Sequence, residues 1–429
     1  MEVGTTGSAR TTQFTGPYPS TLSLFANVVC FVLALSVGNL LVRRARPRWA
    51  LEQGEMLVVY VMLTIGTCVL SIDFLDVLVP MMGHAARYST PSNGWEDLFG
   101  KLIPSWFHVT DPEAIKAFYT GGADPFTPRY LRAWAVPVAA WTGFILVLLG
   151  VMLCLNVILR AQWTQHEKLS YPIIQLPMDM TETGGAFYRQ RLLWAGFAVA
   201  GGVDLLNGLA VFYPSLPSLP IKAVDISPFF PSKPWNAMGW TPIAFYPFAI
   251  GLGFLLPTDM LFSCWFFALF WRFERIASSS FGWSDYSPQF PYVNEQSFGA
   301  YMGIALFTLY TARKALAHGF SAIWRGSDGT DKGEALPYRW AALGFLASLV
   351  AIYLFFLSTG MSGWVIVLSL LIYLAISLAV TRMRAELGPP AHDLHDSGPQ
   401  RLIPLLFGVE NLKRQDLVMF APIQGFNRA

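Results

Sequence analysis

The stretch Phe248–Arg275, FAIGLGFLLPTDMLFSCWFFALFWRFER, decides how the rest of the chain is read. It is almost continuously apolar as far as Arg272, yet Pro257-Thr258-Asp259 stands in its middle. Proline removes a backbone donor and clashes with the preceding turn, so a helix stops or kinks there. A carboxylate in such a run means one thing in water and another in lipid, and composition tells which solvent applies.

The chain has 429 residues, 54% of them hydrophobic and 13% charged. Soluble domains carry about 25% charged residues, roughly twice that share. The sequence is therefore that of a multi-pass membrane protein. Its net charge of +2 and the lack of any basic tract argue against a nucleic-acid partner. Cys30, Cys68, Cys154 and Cys264 all fall inside apolar runs, far apart, and behave as small hydrophobes rather than a disulfide or zinc set. The polar first residues carry only Arg10 as a base, unlike a cleavable secretory leader, so the first apolar run is expected to stay in the mature chain.

A spanning helix needs ~20 mostly apolar residues. The runs that meet or approach this are Leu22–Val42, Met56–Met82, Trp134–Leu159, Leu192–Phe212, Ser297–Thr311, Trp340–Ser358 and Trp364–Val380. The expected fold class is an all-α polytopic membrane protein with about seven spanning helices plus one broken or re-entrant helix pair, Thr241–Trp271. A polar N-terminal segment covers 1–21, the transmembrane domain 22–381, and a polar, proline-broken tail 382–429.

Orientation follows the lysine and arginine bias of short connections. Arg43, Arg44, Arg46 and Arg48, the connection from Arg160 to Arg191, and the segment from Arg313 to Arg339 all read as cytoplasmic. The loops 83–133 and 213–240 then lie outside. Between the second of these and Arg313 an odd number of crossings is required, and the Ser297 helix supplies one. Thr241–Trp271 must supply an even number, and its length is too short for two full spans. A hairpin that enters, breaks near Pro257 and returns satisfies this, although Arg272 and Arg275 favour a single crossing.

Loop 83–133 carries its own helix signal. In TDPEAIKAFYTGG, Asp111 is a natural N-cap, Pro112 suits the first helical position, and Gly121-Gly122 end the helix. In the tail, HDLHD places His392 and His395 beside Asp393 and Asp396, but no further ligands stand at metal-site spacing, so a solvated loop is the better reading.

Ionisable groups at membrane depth are the most informative residues. A carboxylate at a helix centre costs ~2.5–3.5 kcal/mol on insertion scales and persists where it meets protein, water or ligand. Asp259, with Thr258 and Ser263 on the same break, is the first candidate for binding a solute or ion. Capping of the second half-helix is the alternative role. Asp73 and Asp76 share a face at one end of the second run, and Asp204 and Asn207 repeat the spacing in the fourth. IGTCVLSIDFL (65–75) and IGLGFLLPTDML (250–261) match with one residue of slippage, and paired interrupted segments point to transporter sites.

QHEKLSYPIIQLPMDM (165–180) contains Glu167-Lys168-Leu169-x-Tyr171-Pro172, which resembles the Lys-Leu-x-Tyr-Pro segment of oligopeptide and metal-chelate transporters. TPSNGWEDLF, DPEAIKAFY, LLPTDMLFSCWFF, EQSFGA and RMRAELG resemble an uncharacterised prokaryotic multi-pass family, itself similar at a distance to that superfamily. The resemblance implies a helical permease, and longer chains at both ends. No Walker A, G-x-S-x-G or HExxH sequence is present. The expectation is a secondary transporter-like permease of the plasma (cell inner) membrane, not an enzyme, with no cofactor. Its partners would be the bilayer, a small polar solute, and optionally further copies of itself. The alternatives are a membrane-embedded transferase acting on lipid-linked substrates, for which Asp73 and Asp76 would face an outer groove, and a non-catalytic membrane subunit.

Overall fold

A computed structural model describes residues 24–70, 74–221, 223–287, 290–326, 329–388 and 398–428. The main helices are α1 (Ala26–Ala45), α2 (Gln53–Val69), α3 (Leu75–Tyr88), α4 (Pro112–Thr120), α5 (Pro128–Ala161), α6 (Pro172–Met180), α7 (Arg191–Phe212), α8 (Pro247–Phe254), α9 (Thr258–Ser280), α10 (Val293–Arg325), α11 (Tyr338–Leu357), α12 (Gly363–Glu386), α13 (Pro399–Phe407) and α14 (Arg414–Arg428). The strands β1 (Val224–Asp225) and β2 (Pro242–Ile243) pair antiparallel, with Val224 opposite Ile243. This is an all-α polytopic membrane protein.

Among the described residues, five helical segments are long and apolar enough to cross a membrane: Ala26–Ala45, Pro128–His166, Arg191–Phe212, Tyr338–Leu357 and Gly363–Glu386. Two expected spans are modified. Met56–Met82 is not one helix: α2 ends at Val69, and Phe74, with φ −132° and ψ −87°, starts α3 from a non-helical conformation. The Ser297–Thr311 run lies inside the 33-residue α10, which carries Glu295 in its first turn and Arg325 in its last. Its buried positions, Ala305, Thr308, Ala312, Gly319 and Ala322, are small, so α10 serves as a close-packed core helix.

The core is a bundle of α5, α10, α11 and α12. At one end, here the loop end, Phe107, Trp141, Phe144 and Phe355 interlock, with Phe107 and Trp141 ring centroids 4.6 Å apart and Phe144 and Phe355 5.1 Å apart. Loop 83–133 and the C-terminal helices close this end. At the other, basic end lie the last turns of α5, α10 and α12 and the first turn of α11, with Arg160, Arg313, Arg325, Arg339 and Arg382. The Gly83–Ala133 and Arg313–Arg339 segments therefore sit at opposite ends of the bundle. The α1–α2 pair packs on α6, where Phe25, Val28, Val32 and Met180 form a second apolar cluster.

The opening stretch does break at its proline. Helix α8 ends at Phe254 and α9 begins at Thr258, with Pro257 in the cap position. The chain then returns to its starting level: Arg272 donates to the Trp240 carbonyl at 3.1 Å and, through Nε, to Thr241 Oγ1 at 3.3 Å. The two legs form a hairpin clasped at its open end.

Candidate functional site

The loop end contains a cavity of about 460 Å³ walled by α3, loop 83–133, α5 and α14. Each wall is held by an identifiable contact. Asn93 accepts from the backbone N–H groups of Thr90 and Trp95 and donates to the Tyr88 carbonyl at 2.8 Å, which folds TPSNGW back onto the end of α3. Val109 N–H donates to the Met82 carbonyl at 3.0 Å, and the Trp141 indole donates to the Phe107 carbonyl at 3.2 Å. Asp111 caps α4 by accepting from Glu113 and Ala114 N–H, and its carboxylate also takes a forked pair of bonds from Arg129 at 2.8 and 3.0 Å. The Arg129 bond and the Ala114 N–H hold the Asp111 carboxyl below the usual aspartate value. Tyr119 then donates to the Pro80 carbonyl at 2.6 Å, seating α4 on α3.

The fourth wall, α14, is fixed by a buried carboxylate. Asp416 is 1% exposed and accepts from Ser362 N–H at 2.7 Å, Ser362 Oγ at 2.9 Å and Lys413 N–H at 3.1 Å. This places Leu417, Met419 and Pro422 against the cavity. The remaining lining is strongly apolar, with Trp95, Phe99, Phe107 and Trp141. His84 and His108 are the polar groups. The Pro104 carbonyl lies 2.9 Å from His108 Nδ1 and can only accept, so Nδ1 carries a proton and Nε2 is left for a ligand. A volume of this size, lined by aromatics with a few polar groups, suits a small molecule with an apolar body and one polar end.

The residues that sequence reasoning singled out lie elsewhere. Asp259 and Thr258 are exposed in the first turn of α9, outside the cavity, and not against protein or a polar cleft as expected. Nor do they cap α9 through their side chains: they occupy the first two helical positions, and the cap residue is Pro257, which has no acceptor side chain. The Pro257 carbonyl instead accepts from Met260 and Leu261 N–H, both at 3.1 Å. Asp259 still places negative charge at the positive end of the helix. Ser263 Oγ donates to the Asp259 carbonyl at 2.8 Å. Asp76 and Asp204 are exposed, and Asp76 is absent from the cavity wall. Asn207 is buried and structural: it donates to the Leu219 carbonyl at 3.1 Å and accepts from Leu219 N–H at 2.7 Å, tying the following loop to α7. Asp73, His392 and His395 lie outside the described residues. Of the described aspartates, Asp76, Asp204 and Asp259 are each exposed and none lines this cavity.

The cavity residues escaped sequence reasoning because they come from segments more than 300 residues apart and each is unremarkable locally. The one available signal was His84 and His108 flanking the same loop.

The segment 165–180 is a clamp at the basic end. Its Glu167 pairs with Arg382 of α12 at 2.7 Å, Tyr171 N–H donates to the Ala385 carbonyl at 2.9 Å, and Ser170 Oγ donates to the Glu386 carbonyl at 2.7 Å. Lys168 and Tyr171 both adopt positive φ, 53° and 45°, a conformation that non-glycine residues hold only where the surroundings dictate it.

The sequence matches, over residues 10–429, the model of the family of unknown function DUF6785. The chain belongs to that family. Comparisons with curated proteins and with solved structures give no match. The cavity of this DUF6785 member, and not an inherited assignment, is therefore the ground for a functional reading.

Proposed function

We propose that this DUF6785 protein is a transporter-like permease of the cell's inner membrane. In this reading it admits a small solute with an apolar body through the cavity between α3, loop 83–133 and α14. The observation that carries the reading is the cavity: about 460 Å³, aromatic-walled, with the imidazoles of His84 and His108 as its polar groups. The basic bias of the opposite end supports placing this mouth outside the cell. The distant resemblance of the Glu167–Pro172 segment to oligopeptide transporters supports a permease over a transferase. A transferase would use Asp76 in an outer groove, and Asp76 does not line this one. The expectation of a polar solute shifts accordingly to an amphipathic one.

The test is uptake by the reconstituted full chain across a solute library, compared with Ala85→Trp and Ala421→Trp. Both residues line the cavity, and an indole at either position would intrude into it. Saturable uptake of an amphipathic solute that both variants lose supports the reading. Uptake untouched by either variant overturns it.

A further inference from the structure

A second cavity, of about 720 Å³, opens at the basic end and has the opposite chemistry. Its lining includes Arg313, Lys314, His166, His318, Gln162 and Gln165 and, among the described residues, no acidic one. The carboxylates around it are paired: Glu334 with Arg160 at 2.6 Å, Glu167 with Arg382 at 2.7 Å and with Gln162 Nε2 at 2.9 Å, and Asp331 with Tyr338 N–H at 3.0 Å. Positive charge is therefore presented to the cavity without a compensating acid among the described residues that line it.

Two further features mark the place. The end of α5, Gln162–His166, is wound as a π-helix, a costly local form found most often at functional positions. It turns Gln162, Gln165 and His166 into the cavity wall. The cavity also sits where two membrane-length segments meet the interface: Pro128–His166 ends beside it, and Tyr338–Leu357 begins there. Basic pockets between transmembrane helices at this depth suit anionic headgroups.

We infer that this cavity binds a phosphate-bearing anion, with Lys314 and Arg313 supplying charge and Gln165 and His166 supplying hydrogen bonds. Arg313 is oriented by its bond to the Tyr310 carbonyl at 2.6 Å, while Gln162 donates to Glu167 and His318 Nε2 lies 3.1 Å from Thr330 Oγ1. The inference does not depend on the permease reading, since it concerns the other end of the molecule. The phosphate could be presented by a lipid headgroup or arrive free in solution, and the experiment separates these sources. Thermal melting of the purified full chain in neutral detergent is followed while phosphatidylglycerol, phosphatidylcholine or inorganic phosphate is added. Saturable, salt-sensitive stabilisation by phosphatidylglycerol and not by phosphatidylcholine supports a headgroup site, and saturable stabilisation by inorganic phosphate supports the same site with a free ligand. Lys314→Gln should weaken the half-saturating concentration about fivefold, the effect of one interfacial cation, while Lys314→Arg keeps it. Equal stabilisation by phosphatidylcholine, no saturable response to either phosphate source, or an unchanged response in the Lys314→Gln, Arg313→Gln double variant, overturns the inference.

Discussion

Arg382 of α12 reaches across the basic end to Glu167, Nη2 to Oε2 at 2.7 Å, and the two side chains are only 7% and 16% exposed. The pair joins the end of α5 to the end of α12 at the point where the backbone turns through the strained Lys168 and Tyr171. Removing one partner of such a pair strands the other charge out of water. We expect Arg382→Ala to destabilise the protein by about 3–5 kcal/mol, measured by denaturant unfolding in detergent. The double change Glu167→Gln, Arg382→Met should recover most of that loss.

The same carboxylate sets a pH dependence. Burial pushes Glu167 up, but the Gln162 and Arg382 hydrogen bonds outweigh it and hold the group below the ordinary glutamate value. A carboxyl lowered on folding contributes stability that is fully present above its unfolded value and lost as pH falls through the folded one. The melting temperature of the wild type should therefore drop as pH falls below the ordinary glutamate range. Glu167→Gln should remove that part of the drop while melting lower near neutrality.

Asp416 is predicted to govern the loop-end cavity without touching a solute. Its three accepted bonds hold the start of α14 against Ser362, and Asp416→Ala leaves those donors unsatisfied in a buried place. The cost should be on the order of 1–3 kcal/mol. Amide exchange should quicken in Leu417–Phe420, and solute affinity should fall with it. Asp416→Asn keeps one acceptor oxygen and should lie between the two.

Close packing in the core gives a sharper test. A Cβ on Gly319 would lie 2.9 Å from Ile158 Cγ2, so α10 and α5 touch there only because position 319 is bare. Gly319→Ala should cost about 1–3 kcal/mol through overpacking. Ile158→Ala alone should cost about 2–5 kcal/mol. The double variant should lose less than the sum, since each change relieves the other.

Much of this architecture was legible beforehand, and the failures share a cause. The apolar runs, the Asp111 cap with Pro112 behind it, and the break at Pro257 are local signals, and each depends on residues within one helical turn. The split between α2 and α3 was hidden because Met56–Met82 is apolar on both sides of it. Asp259 was misplaced for a related reason: a buried-looking carboxylate was inferred from its neighbours in sequence, whereas exposure depends on what packs over the hairpin tip. The cavity at the loop end is built from Leu78, Trp95, Trp141 and Leu417, and no local pattern connects them.

The hairpin itself yields the last prediction. Arg272 lies 15 residues into α9, counting from Thr258, so at ~1.5 Å per residue the tip at Pro257 is ~22 Å from the clasp. The hydrocarbon core is ~30 Å thick. We predict that a hairpin of that depth enters the bilayer without crossing it, with Arg272 clasping both legs on one side. Gly239 adds to this, since a Cβ there would lie 3.2 Å from Arg275 Nη1. The following helix agrees: α10 starts at the loop end, where Glu295 pairs with Arg401 at 3.0 Å, and reaches Arg313 at the basic end. Single cysteines placed at Gly239, Arg275 and Glu410 in a chain whose four native cysteines are replaced should all react with a membrane-impermeant maleimide from the same side. A cysteine at Arg325 should react only from the other. Labelling of positions 239 and 275 from opposite sides would mean that the Pro257 break lies within a full crossing, and the re-entrant hairpin would be wrong.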